Sequence, residues 1–294
     1  MKSYLISSTK KSSGKTIIAT GISSILSRTD SLAVFKKGPD YIDPYWLSLA
    51  SKVNCYNLDF FTMSNSEIKK LYKQMSYEKN ISIIEGNKGL FDGISLDGGD
   101  SNASLAHLLK LEVILVIDCV GMTRGVAPLL KGYQEFDKKI KYKGIILNNI
   151  ANDRHENKVI NAINEFTKLK VIGSIHKNKQ LTIMEKKLGL EPVFQNPYTK
   201  NIIKNISSVI KKSVDMKYLI NKKTNNKDNK IPKVVLKKHI YSNLRIGVAF
   251  DSAFGFYYPD DINEFKRLGA KIIYFDTLKD KVLPKVDGLS LIHI

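Results

Sequence analysis

The chain begins MKSYLISSTKKSSGKTIIAT, and the run from Thr9 to Thr16, TKKSSGKT, ends as a phosphate-binding loop ends. Gly14-Lys15-Thr16 follows a short apolar run, Tyr4 to Ser7, and opens a helix-like one, Lys15 to Leu26. That strand-loop-helix context is what makes such a match meaningful. In it, Ser12, Ser13 and Gly14 would offer backbone N–H groups to phosphate oxygens. Lys15 would reach the β- and γ-phosphates, and the Thr16 hydroxyl would ligate Mg2+ beside ATP. Thr9 stands where the usual pattern has glycine, the residue that tolerates every backbone angle. The bland alternative is a Ser/Lys-rich turn before a helix.

Acids recur at places that would complete such a site. ISIIEG (81–86) is an apolar strand ending in Glu85, as a Walker-B-like metal ligand should. Two glycines and Asp92 follow on the loop beyond it, at the strand end where open α/β sheets bind ligands. FKKGPDYIDPYW (35–46) places Asp40 and Asp43 three residues apart beside Tyr41 and Trp46, in what reads as a stiff, Pro-bounded loop. Acids in loops can be turn-formers; two carboxylates beside two aromatic rings read better as a ligand site.

The elements that must position these groups follow a regular pattern. Strand candidates at 4–7, 32–36, 81–86, 113–118, 143–149 and 169–175 alternate with helical stretches such as Ser66 to Met75 and Ala103 to Leu109. Short β-branched runs between helices predict an α/β fold with a doubly wound parallel sheet. Residues 1–215 are expected to form this ATP-binding unit, and 216–243, polar and lysine-rich, a linker. Residues 244–294 start a second α/β pattern with two strands, LRIGVAF and KIIYF, and one helix. Two parallel strands are too few to be buried on both faces, so this unit must pack on something else or be incomplete.

Composition bounds the function classes. Hydrophobic content of 43% and charged content of 26% suit an ordinary globular protein. No run approaches the ~18 apolar residues of a membrane span, and no signal-peptide pattern opens the chain. We therefore expect a cytoplasmic protein without a membrane partner. The net charge of +19 is dispersed lysine without an arginine block or basic aromatic stripe. Compositional bias rather than nucleic-acid binding is the expectation, and the surplus would favour an anionic substrate through steering. Cys55 and Cys119 lie far apart in apolar surroundings and read as buried thiols.

Taken in order, FKKGPDYIDP, NLDFF (57–61), EGNKGLFDG (85–93), GVAPLLKGYQEFD (125–137), GIILNNI (144–150) and VAFDSAFGFYYPDDINEF (248–265) resemble the cobyrinate a,c-diamide synthase family over nearly the whole chain. The resemblance implies a dethiobiotin-synthetase-like P-loop domain followed by a class I glutamine amidotransferase domain. It implies an ATP- and Mg2+-dependent ligase that amidates the a and c carboxylates of cobyrinate through an acyl phosphate, with glutamine or ammonia as nitrogen donor. Lys15 and Thr16 would serve phosphate and Mg2+, with Glu85 and Asp40 as further metal ligands. Asp43, Tyr41 and Asp92 match positions used around the macrocycle and its activated carboxylate, and Asn148 (or Asn149) falls where related folds bind adenine.

The chain departs from the family's pattern in three places. KKLGL (Lys186 to Leu190) replaces a motif that begins with arginine, and an ammonium cannot imitate a forked guanidinium. The amidotransferase nucleophile, a cysteine after the linker, is absent, and the final SLIHI replaces a glycine-rich stretch and reads as non-native. The expectation is therefore an incomplete second domain, amidation with free ammonium at best, and poor solubility. Lys10 falls where septum-site and partition ATPases carry a signature lysine. It reads as a solvated charge, the alternative being a lysine acting across a homodimer. The nickel-sirohydrochlorin a,c-diamide synthases, cobyric acid synthase and, from another class, a partition-type switch ATPase are the alternative readings.

Overall fold

The computed structural model describes residues 1–178, 181, 185–186, 189–191, 193, 198–220 and 243–291. Its main sheet comprises β1 (Lys2–Ser8), β2 (Leu32–Lys37), β3 (Cys55–Leu58), β4 (Ile81–Glu85), β5 (Glu112–Asp118), β6 (Lys141–Ile150) and β7 (Val171–His176). They lie in the order β3-β2-β4-β1-β5-β6-β7, every neighbouring pair parallel.

Side-chain alternation along each strand divides the apolar residues between two cores. Tyr4 and Ile6 of β1 and Val34 of β2 face α1 (Lys15–Leu26), α2 (Ile42–Ser51), α7 (Thr199–Ser213) and α8 (Met216–Ile220). Leu5 of β1 and Phe35 of β2 face α3 (Asn65–Met75), α4 (Asn102–Leu109), α5 (Val126–Phe136) and α6 (Asp153–Phe166). A sheet covered on both faces needs apolar residues at consecutive positions, hence runs such as VILVI in β5. The fold is the doubly wound parallel α/β sheet that the pattern predicts.

Two local readings are corrected. Asp43 does not lie in an extended loop but in the first turn of α2, where Pro44 is tolerated because the early N–H groups need no intrahelical partner. The second unit holds three strands rather than two. β10 (Arg245–Ala249) is flanked by β11 (Lys271–Phe275) and β12 (Gly288–Ser290), both parallel to it, with α9 (Pro259–Arg267) between β10 and β11 in sequence. A three-residue strand is too short to show a period. Of the expected linker, Met216–Ile220 forms α8 and packs on the first sheet, Tyr4 Oη donating to the Leu219 carbonyl at 3.0 Å. Residues 221–242 lie outside the described residues, as do Lys187 and Leu188 of the KKLGL run, whose remaining residues form the short hairpin β8 (Glu185–Lys186) and β9 (Gly189–Leu190). Among the described residues, no helix is long and apolar enough to cross a membrane.

Candidate active site

The loop between β1 and α1 turns at Ser12 (φ 57°) and Gly14 (φ 87°), and Thr9 is not among the left-handed residues. This is the physical reason a glycine is dispensable at position 9. Ser8 and Ser13 hydroxyls both donate to the Lys10 carbonyl, at 2.6 and 2.8 Å, and the Lys15 ammonium donates to Ser8 Oγ at 3.0 Å. Asn148, at the carboxyl end of β6, braces the loop by donating from Nδ2 to the Ser13 carbonyl at 2.9 Å. A Cβ on Gly14 would stand 2.3 Å from that nitrogen, so only glycine fits here. Lys10 is ion-paired with Asp118 at 2.9 Å rather than merely solvated.

Beside Lys15 the acids converge. Thr16 Oγ1 lies 2.5 Å from Glu85 Oε1 at the end of β4, and 3.3 Å from Asp43 Oδ2 at the start of α2. Lys36 bridges the same two oxygens, its Nζ 2.5 Å from Asp43 Oδ2 and 3.0 Å from Glu85 Oε1. Strand alternation puts it there: Lys36 follows Leu32 and Val34 onto the α1/α2 face of β2. Lys37 follows Phe35 onto the other face, where it bonds Asn87 Oδ1 and the Asp100 carbonyl. Asp40 Oδ1 accepts from the N–H groups of Ile42 (2.9 Å) and Asp43 (3.1 Å), fixing the start of α2, while its Oδ2 is 3.8 Å from Lys36.

Electrostatics follow burial and pairing. Burial pushes Glu85 up to about 7 against the pull of Lys36. Burial also opposes the charge of Lys36, but Asp43 and Glu85 outweigh it and hold its ammonium above the ordinary lysine range. Asp43 is likewise buried, yet Lys36 keeps it below the usual carboxylate range. Asp40 is raised by burial. Lys15 is lowered to about 8 by burial, with Glu85 opposing. Glu85 Oε2 is buried and has no hydrogen-bond partner among the described residues. A carboxylate oxygen left unpaired is costly, and with Thr16 Oγ1 and Asp43 Oδ2 nearby the donors are the hard oxygens that suit Mg2+.

Of the residues singled out from sequence, the structure gathers Lys15, Thr16, Asp43 and Glu85, with Ser12, Ser13 and Gly14 in the loop above them. Asp40 touches Lys36 but bonds neither Thr16 nor Glu85. Asp92 lies on the neighbouring 86–101 segment, exposed, its Oδ2 accepting from Gly89 N at 3.0 Å. That segment is drawn against the phosphate loop by Leu90 N donating to the Ser8 carbonyl at 2.7 Å. Asn102 fixes it from α4, donating to Ser7 Oγ (3.1 Å) and the Gly89 carbonyl (2.9 Å). Lys36, Lys37 and Asn102 are functional-site neighbours that the motifs did not flag; two lysines closing an apolar strand were the available signal.

Tyr41 is occupied by the second unit. Its ring stacks on Tyr258 at 4.5 Å and on Phe256 at 5.6 Å between centroids. One helical turn on, Tyr45 Oη accepts from Tyr257 N at 3.3 Å. The GPDYIDP and FYYP stretches, more than 200 residues apart in sequence, are thus partners in space.

A family model described as an AAA domain matches residues 39–185. Relatives named cobyrinate a,c-diamide synthase include one from Magnetococcus marinus, 38% identical over 294 residues, covering 97% of this chain and 63% of the relative. Another, from Picrophilus torridus, is 38% identical over 292 residues, covering 99% and 66%. A third, from Methanococcus vannielii, is 35% identical over 300 residues, covering 99% and 67%. The chain thus spans about two thirds or less of the length of these relatives. Solved structures that this chain matches in part include the MinC:MinD cell division protein complex of Aquifex aeolicus (14% identity, TM-score 0.43, 73% of this chain and 98% of that one). Chloroplast FtsY from Physcomitrella patens is another (11% identity, TM-score 0.45, 70% and 65%).

Proposed function

The chain belongs to the cobyrinate a,c-diamide synthase family, and from that membership we propose that it activates the a and c carboxylates of cobyrinate with ATP for conversion to amides. A carboxylate is a poor electrophile. Transfer of the γ-phosphoryl group to a carboxylate oxygen gives an acyl phosphate and ADP. Ammonia then attacks the carbonyl carbon, the C–O bond to phosphate breaks, and inorganic phosphate leaves with the amide formed. The protein's share in such a reaction is positioning and charge neutralisation. Loop N–H groups and Lys15 hold the β- and γ-phosphates. Thr16, Asp43 and Glu85 would hold Mg2+, which when bound supplies neutralisation of phosphate charge. Asp92 and Tyr41 are the residues we assign to the macrocycle and its activated carboxylate.

The observation that carries this reading is the convergence of Thr16, Asp43 and Glu85 beneath the Gly14-Lys15 turn, with two of the motifs typical of the family supplying the acids. On the nitrogen donor, both cysteines are buried and burial holds their thiols up, Cys119 to about 12 and Cys55 well above its ordinary value. Neither suits a glutaminase nucleophile, and we propose glutamine or ammonia as the nitrogen donor, with no thiol of residues 1–294 releasing ammonia from glutamine.

The test is ADP release by this chain with ammonium and cobyrinate, and, in parallel, with nickel-sirohydrochlorin and cobyrinate a,c-diamide. Turnover dependent on cobyrinate supports the proposal. Turnover on the diamide alone would point to later amidations. Stimulation by DNA or lipid vesicles without response to any corrinoid would sink it in favour of a switch ATPase.

A further inference from the structure

Lys36 has no part in what a phosphate loop and its acids require, yet its side chain is only 3% exposed. It comes from β2, a strand that contributes nothing else to the cluster, and its ammonium enters between α1 and α2. Glu85 Oε1 and Asp43 Oδ2 each meet both Thr16 Oγ1 and Lys36 Nζ. The Thr16 hydroxyl has one proton and donates to one of these oxygens at a time, whereas Lys36 Nζ lies against both and fills the space between the two carboxylates, Glu85 Oε2 being left without a hydrogen-bond partner among the described residues. A divalent ion ligated there cannot share those oxygens with an ammonium at 2.5 and 3.0 Å without close contact of like charges. Nor can the buried ammonium be left unpaired. Its remaining anionic neighbour, Asp40, stands at 3.8 Å and is committed through Oδ1 to two backbone N–H groups of α2.

We infer that Lys36 is the resident counter-ion of the metal site: it holds Asp43 and Glu85 together before nucleotide arrives, yields their oxygens to the divalent cation, and pairs with the phosphate that enters with it. The inference rests on the nucleotide and metal reading given above. In the sequence of events it makes the lysine a positioning residue in the empty state and a phosphate-contacting residue in the loaded one. It also makes metal alone a poor ligand, because metal without phosphate displaces the ammonium and gives it no new partner.

Lys36→Met keeps the length of the side chain and removes the charge. Binding of Mn2+ alone, followed by the electron-paramagnetic signal of free Mn2+, should tighten by about tenfold or more, the scale of one close charge pair near a protein surface. Binding of Mn2+·ATP, measured the same way, should weaken by about tenfold or more. Opposite signs are the signature; a purely structural lysine would weaken both or neither. Unchanged or weaker Mn2+ binding in K36M, with wild-type Mn2+·ATP binding intact, overturns the inference. Failure of the wild-type chain to bind Mn2+·ATP at all overturns the nucleotide reading instead. Should K36M not melt cooperatively, the wild-type chain decides. Its lysine 13Cε resonance, assigned by its loss in K36R, should shift on adding Mg2+·ADP and stay fixed with ADP and EDTA; an unmoved resonance under Mg2+·ADP overturns the exchange.

Discussion

Lys15 shows how a single residue sets the conditions under which the site can work. Burial, the largest influence on it, lowers its ammonium to about 8, although Glu85 and Asp43 pull the other way. Phosphate pairs only with the charged form. Nucleotide affinity should therefore be constant below about pH 8 and fall by about tenfold per unit above it, the linkage of one proton. The nucleotide-free protein should show the reverse. Its folded state prefers the neutral amine, so this residue costs stability at neutral pH, and the cost fades as pH rises from about 8 toward the unfolded value. Calorimetric titration with ADP between about pH 7 and 9.5 checks the first claim; a flat affinity would refute it. At this scale the sequence was informative where a motif fixes both residue type and local geometry, as at Gly14, Lys15, Thr16 and Glu85. It was silent about Lys36, because a lysine closing an apolar strand is read as the strand reaching water. Only the choice of face, decided by α2 packing on one side of β2, turns that side chain inward.

Among the elements, the helix bearing Thr16 is held in place by an unusually close neighbour. A Cβ on Gly21 of α1 would come within 2.4 Å of Ile210 Cγ1 on α7. Gly21→Val should therefore destabilise the fold by about 1–3 kcal/mol through overpacking. Nucleotide affinity should change little, since the strain falls two turns beyond the loop. Thermal melting paired with ADP titration separates the two effects, and a variant as stable as wild type would show that α1 and α7 can part without cost. The strongly periodic elements, α1, β1, β4 and β5, were readable because burial on two sheet faces leaves continuous apolar runs. The four-residue edge strand β3 and the start of α2 were not. CYNL is too short to show a period, and GPDYIDP carries two prolines and two acids that read as loop. The helix begins there because Asp40 caps the N–H groups of Ile42 and Asp43, a contact that no spacing rule separates from an ordinary turn.

For the whole molecule, the decisive contact is the aromatic seam in which Tyr41 stacks on Phe256 and Tyr258. Phe256 is buried in the same core cluster as Ile42 and Trp46 of α2, so the second unit completes a core that belongs mainly to the first. Tyr41→Ala and Tyr258→Ala, made singly and together, should show a coupling of about 0.5–1.5 kcal/mol in unfolding free energy, as stacked aromatic pairs do. Strict additivity would mean that the rings touch without cooperating. Both stretches were legible as family motifs, but their partnership was not, since nothing in a one-dimensional pattern pairs positions more than 200 residues apart.

That seam also has a consequence in time. Phe256 and Tyr258 are synthesised more than 200 residues after Tyr41 and the acids beside it. At about 5–20 residues per second, a growing chain spends roughly 10 seconds or more with its phosphate loop already made and its α2 anchor still unmade. Tyr41, at the start of α2, acquires these aromatic partners only after that interval. The order of synthesis thus puts all seven strands of the first sheet ahead of the two rings that stack on Tyr41.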